Sequence, residues 1–123
     1  MAKKKILYVQ TSGTDTPERL YSPLILAQTA LAMDIEPVVY FLGQGMKVLV
    51  KGEAEKIKLG DFPSVMDVIK DSKAKGVTIM ACEQSLQLFG GKIDAGSLIP
   101  EAEIAGAATL NDLALEADAI LSF

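Results

Sequence analysis

The sequence predicts an α/β fold: a single domain, residues 1–123, on a mostly parallel five-stranded sheet with helices on both faces. Three observations predict it. Short apolar runs, "ILYV", "VVYFLG", "VTIMA" and "AILSF", recur along the chain. Between them lie stretches with apolar residues at helical spacing, and Gly, Pro or hydroxyl-bearing residues punctuate the junctions. Strands alternating with helices of about 10 to 15 residues imply right-handed crossovers, hence a parallel sheet covered on both sides. A chain of 123 residues has the size of one compact domain.

The first strand is Ile6 to Val9, ending in the turn formers "TSGT". Thr16, Pro17 and Glu18 form a helix start, with a hydroxyl cap, proline in the first turn and an acid at the positive end of the dipole. Leu20, Leu24, Ala27 and Leu31 continue at helical spacing, and Pro23 either kinks this helix or moves its start to Ser22. "VVYFLGQG" is a strand buried on both faces and closed by Gly43 and Gly45. A short helix is expected at residues 46–50, followed by a charged surface excursion, "KGEAEKIKLGDFP".

Ser64 caps the next helix, whose stripe is Val65, Val68 and Ile69, and Gly76 ends it. "VTIMA" is the third strand and delivers Cys82. "QSLQLF" reads as a helix that breaks at Gly90 and Gly91. A short fourth strand is expected at residues 103–105, a helix capped by Thr109 or Asn111 runs through "LALEA", and "AILSF" is the fifth strand.

Composition prunes the chemistry. A net charge of −4 with a single arginine, Arg19, argues against nucleic acid, which needs clustered cations. The run Lys3, Lys4, Lys5 is read as a solvated terminus. No segment approaches the roughly 20 apolar residues that cross a bilayer, and no secretory h-region follows the basic start. The chain is therefore expected in the cytoplasm, without a membrane role. With no histidine and one cysteine, a zinc site, a Ser-His-Asp triad and a Cys-x-x-Cys dithiol all drop out. No metal and no cofactor is expected.

In an open parallel sheet, ligands bind beyond the carboxyl ends of the strands, where the strand order reverses. Three loops fall at such ends: residues 11–14, 43–45 and 82–85. Cys82, at a strand-to-helix junction, would face the positive end of a helix dipole, which favours thiolate. Ser85 would share its helical face and could donate a hydrogen bond to the sulfur. Glu83 has the opposite tendency if its carboxylate turns inward. Thr11, Ser12 and Gly13 with Gly43, Gln44 and Gly45 could line an anion pocket, although neither loop has a G-x-G-x-x-G or P-loop pattern. From the residues alone two readings of Cys82 stay open: a small core residue or a reactive thiol.

The stretch "GVTIMACEQSLQLFGG", followed by "AEIAGAATLNDLA", resembles the DsrE/DsrF-like family, in which a strand ends in Ala-Cys-x-x-Ser and a Gly-Ala-rich strand leads to the last helix. "KILYVQTSGTDTPERLYSPLILAQTALAM" and "PVVYFLGQGMKVL" are similar to its first two strands and their loops, so the resemblance covers nearly the whole chain. It implies a flavodoxin-like sheet and a sulfur carrier or sulfurtransferase. The cysteine at the place of Cys82 holds sulfane sulfur as a persulfide or thiosulfonate, and Ser85 matches the motif. It also implies a sulfur donor, a TusA-like acceptor and a homotrimer or homohexamer. Some relatives carry a second cysteine near the site; this chain has none, so any thiol cycle needs a partner. The alternative is a nucleotide- or anion-binding module without thiol chemistry.

Overall fold

The computed structural model describes residues 3–123. Its strands are β1 (Lys5–Gln10), β2 (Glu36–Phe41), β3 (Thr78–Cys82), β4 (Glu103–Ala105) and β5 (Ala119–Ser122). They form one sheet in the order β4-β3-β2-β1-β5, and every pairing is parallel. The α-helices are α1 (Ser22–Ala32), α2 (Val65–Lys75) and α3 (Ala107–Glu116). The predicted class and all five strands are thus present.

Alternation along the strands divides the sheet into two faces. Tyr8, Val39 and Ile79 share one face, all buried. The Tyr8 hydroxyl donates to the Leu26 carbonyl at 3.2 Å, which places α1 on that face. Leu7, Val38 and Thr78 share the other. There the Tyr40 hydroxyl donates to the Gly106 carbonyl, directly before α3. The first three connections step the same way across the sheet, so right-handed crossovers keep them on the α1 and α2 face. The step from β4 back to β5 reverses, and α3 crosses to the other face.

Four local expectations are corrected. Thr16 does not cap a helix: its hydroxyl donates to the Gly13 carbonyl at 3.3 Å, and Pro17–Arg19 is one 3-10 turn. α1 starts at Ser22, one of its two expected alternatives, with Pro23 in the first turn, where its missing N–H leaves no bond unmade. The expected helix at 46–50 is a 3-10 run, Gly43–Leu49. The expected helix after Cys82 is likewise 3-10, Gln84–Phe89, ended by Gly90 in the left-handed region. α3 is capped by neither Thr109 nor Asn111. It begins at Ala107, because β4 ends at Ala105 and the extended Gly106 occupies the cap position.

α2 follows its sequence signals. Ser64 accepts from the Asp67 N–H at 3.1 Å, and Gly76 closes the helix at φ 108°. The charged segment before it is tied down rather than loose: Phe62 stacks on Tyr21 at 4.6 Å between ring centroids, and the Tyr21 hydroxyl donates to the Pro63 carbonyl at 2.8 Å. Among the described residues, no helix is long and apolar enough to cross a membrane.

Candidate functional site

β3 carries Cys82 as its last residue, paired with Ala105 of β4. The exit of β3 turns toward the α1 and α2 face while that of β4 turns toward α3. Diverging exits of adjacent strands mark the topological position at which open parallel sheets bind ligands. Cys82 stands at that point, 7 % exposed. It is the only cysteine of the chain, and it is free.

Its neighbours come from three elements. In the 3-10 turn, the Gln84 side-chain carbonyl accepts a weak contact from the thiol at 3.9 Å. The Gln84 amide nitrogen lies against Gly106, where an added Cβ would come within 3.9 Å of it. From the backbone, the Glu83 N–H donates to the Ala105 carbonyl at 2.9 Å and locks the β3 exit to β4. From β2 comes Tyr40, fully buried, with its hydroxyl 3.2 Å from the Ala105 carbonyl and 2.9 Å from that of Gly106. Burial first, and then the charge of a Cys82 thiolate and the hydrogen bond the phenol can give it, push the Tyr40 pKa up to about 12. Tyr40 is therefore a neutral phenol across the physiological range.

Ser85 is as buried as Cys82, and its hydroxyl oxygen accepts the Gly43 N–H at 2.9 Å. An oxygen used in this way keeps its own hydrogen to donate. The bond joins the loop after β2 to the turn after β3. That loop in turn touches the loop after β1: at Gly13 a Cβ would lie 2.5 Å from the Gln44 carbonyl oxygen. Gly45 packs so closely on the Gln10 carbonyl that no side chain fits there. The two loops, residues 11–13 and 43–45, and Ser85 therefore form one contiguous layer above the sheet.

Many of the donors in that layer have internal partners. The Thr11 and Ser12 N–H groups and the Thr11 hydroxyl all donate to the Phe123 oxygen, at 2.8, 3.2 and 3.0 Å. The Gly45 N–H goes to Leu42 and the Gly43 N–H to Ser85. An added anion would have to displace these bonds. The dipole behind the sulfur is also shorter than a full helix supplies, because the element is a six-residue 3-10 run. Glu83 is exposed. Among the described residues no group of three metal-ligating side chains occurs.

Sequence reasoning missed Tyr40, Gln84 and the Ala105–Gly106 junction. A signal for Tyr40 exists: it is the one polar side chain in "VVYFLG" and shares the parity of the β2 residues facing α3. Nothing in the sequence pairs it with Cys82, 42 positions later.

Comparison with known proteins agrees with this fold. A family model described as DsrE/DsrF-like family matches residues 4–123. An uncharacterized protein of Methanocaldococcus jannaschii, MJ0760, is 33 % identical over 105 residues, which is 85 % of this chain. The chain spans only 38 % of that relative's length. Among solved structures, the ychN protein from E. coli superposes with a TM-score of 0.76 at 18 % identity, covering 99 % of this chain and all of that one. MTH1491 from Methanobacterium thermoautotrophicum, of unknown function, gives 0.73 at 14 % identity, with 99 % and 100 % covered. At such identities these two structures speak for the fold.

Proposed function

The chain belongs to the DsrE/DsrF-like family, and from that premise we propose that it is a sulfur carrier or sulfurtransferase working through Cys82. In the loading step, the Cys82 thiolate attacks the outer sulfur of a persulfide donor. A new sulfur–sulfur bond forms as the donor's own breaks, and the donor departs as a thiolate with the electron pair. Discharge is the same step in reverse sense: an acceptor thiolate attacks the outer sulfur and releases Cys82. No net oxidation occurs. Where the donor supplies a sulfonated sulfane group, the held species is a thiosulfonate.

The observation that carries this reading is the position of the single free thiol at the end of β3, where the β3 and β4 exits diverge, three residues before the buried Ser85. Ser85 keeps a hydrogen for the sulfur anion, while Thr11, Ser12, Gly13, Gly43, Gln44 and Gly45 shape the adjoining wall. Because the chain has no second cysteine, a resolving thiol comes from outside, and a TusA-like protein is the proposed acceptor. The proposed assembly is a homotrimer or homohexamer, and the proposed location is the cytoplasm.

Intact-protein mass spectrometry after exposure to a persulfide or tetrathionate tests the reading. The reduced protein is expected to gain sulfur or a thiosulfonate that a thiol removes. Cys82→Ser is expected to fold and gain nothing. Loading that persists in Cys82→Ser, or no loading of the native protein by any donor, would sink it. In the second case, saturable anion binding that survives Cys82→Ala would favour the binding-module alternative.

A further inference from the structure

Tyr40 sits fully buried in β2, paired with Met80, so that Cys82 is its diagonal neighbour on the same face of the sheet. Strand spacing and rise put their Cα atoms about 8 Å apart, a separation a tyrosine side chain spans toward the strand ends. Its hydroxyl lies at the carbonyls of Ala105, the β4 partner of Cys82, and of Gly106. We propose that the Tyr40 hydroxyl is the hydrogen-bond donor that holds the sulfur anion on Cys82, turning from these carbonyls to the sulfur when the site is charged. The proposal rests on the sulfur-carrier reading for its purpose.

Three features make the turn feasible. Tyr40 stays protonated, so it has a hydrogen to give. The carbonyls it would leave keep other partners, the Glu83 N–H at 2.9 Å on Ala105 and the Leu110 N–H at 3.4 Å on Gly106. No buried acceptor is then stranded, which would otherwise oppose the movement. The turn breaks no backbone–backbone hydrogen bond. In the neutral protein the hydroxyl braces the β4–α3 junction; in the loaded protein it binds the anion.

The test compares the native protein, Tyr40→Phe and Tyr8→Phe at one neutral pH, by the rates of alkylation with iodoacetamide and of sulfur loading from a persulfide. Tyr8 is the control, a buried tyrosine whose hydroxyl bonds Leu26 on the opposite face. Tyr40→Phe is expected to slow both reactions roughly tenfold or more, as loss of a charge-assisted hydrogen bond implies, while Tyr8→Phe leaves them unchanged. A merely structural hydroxyl would act in the opposite direction, since a loosened junction exposes the sulfur and speeds alkylation. Tyr40→Phe rates within twofold of native, or faster, overturn the proposal.

Ring-carbon NMR of labelled tyrosine in the native protein gives an independent answer should Tyr40→Phe fail to fold. The Tyr40 phenolic carbon is expected to shift when Cys82 is loaded or alkylated while that of Tyr8 stays; a Tyr40 signal indifferent to Cys82 overturns the inference. If no donor loads the native protein, the sulfur-carrier reading fails, yet alkylation and NMR still decide whether Tyr40 bonds the Cys82 sulfur.

Discussion

The Ser85 hydroxyl oxygen is the partner of the part-buried Gly43 N–H, three residues after the proposed sulfur carrier Cys82. Ser85→Ala would leave the part-buried Gly43 N–H without its partner, which costs about 1 kcal/mol. We expect a lower urea midpoint of that size together with slower loading, whereas an unchanged midpoint would mean that water replaces the hydroxyl. Tyr40 supplies a second residue-scale prediction. Its folded pKa of about 12 lies above the ordinary 10.0, so the folded state favours the neutral phenol. That contribution is whole below pH 10 and lost as pH rises toward 12, because the unfolded chain ionises first. Tyr8, raised by burial, acts in the same direction. Linkage makes the Tyr40 share on the order of 3 kcal/mol. Stability curves of native protein and Tyr40→Phe should therefore converge between pH 10 and 12, and parallel curves would contradict the assignment.

At the scale of elements, α2 and α3 show when caps are legible. α2 is bounded by a hydroxyl and a left-handed glycine whose roles are local, so both ends can be read from neighbouring residues. Ser64→Ala should cost about 1 kcal/mol, measurable as a few degrees in thermal melting; no change would mean the cap bond is replaced by solvent. α1 and α3 start without any side-chain cap bond. The start of α1 is set by Tyr21, which stacks on Phe62 and bonds Pro63, about forty residues away. The 3-10 runs after β2 and β3 have the same origin. Gly43 and Ser85 join them across 42 positions, and Gly45 must approach Gln10. Apolar spacing alone cannot tell such tightened turns from short α-helices.

For the whole molecule, cover is uneven. The face of α1 and α2 holds most of the buried side chains, whereas α3, β4 and β5 contain no fully buried residue. Leu115 is 85 % exposed, and Ile104, Ile120 and Leu121 stand 43 to 50 % exposed on the two edge strands. Exposed apolar surface of this kind is what subunit contacts cover. The proposed trimer or hexamer predicts a sedimentation coefficient well above that of a 13.1 kDa monomer. Leu115→Lys should shift the population toward smaller species. A native protein that sediments as a monomer at all concentrations would contradict the assembly.

The sequence by itself determined the α/β class, the five strands, both ends of α2 and the placement of Cys82 at the end of β3. Each depends on near neighbours: apolar periodicity, a cap, a glycine, and the family pattern around "ACEQS". Only the tertiary structure decided what surrounds the sulfur. The parallel order β4-β3-β2-β1-β5 brings together residues from β2, the turn after β3 and the start of α3. Tyr40 and Gly106, like Gly43 and Ser85, are distant in sequence and bonded in space, because a parallel sheet aligns the carboxyl ends of strands that long crossovers separate.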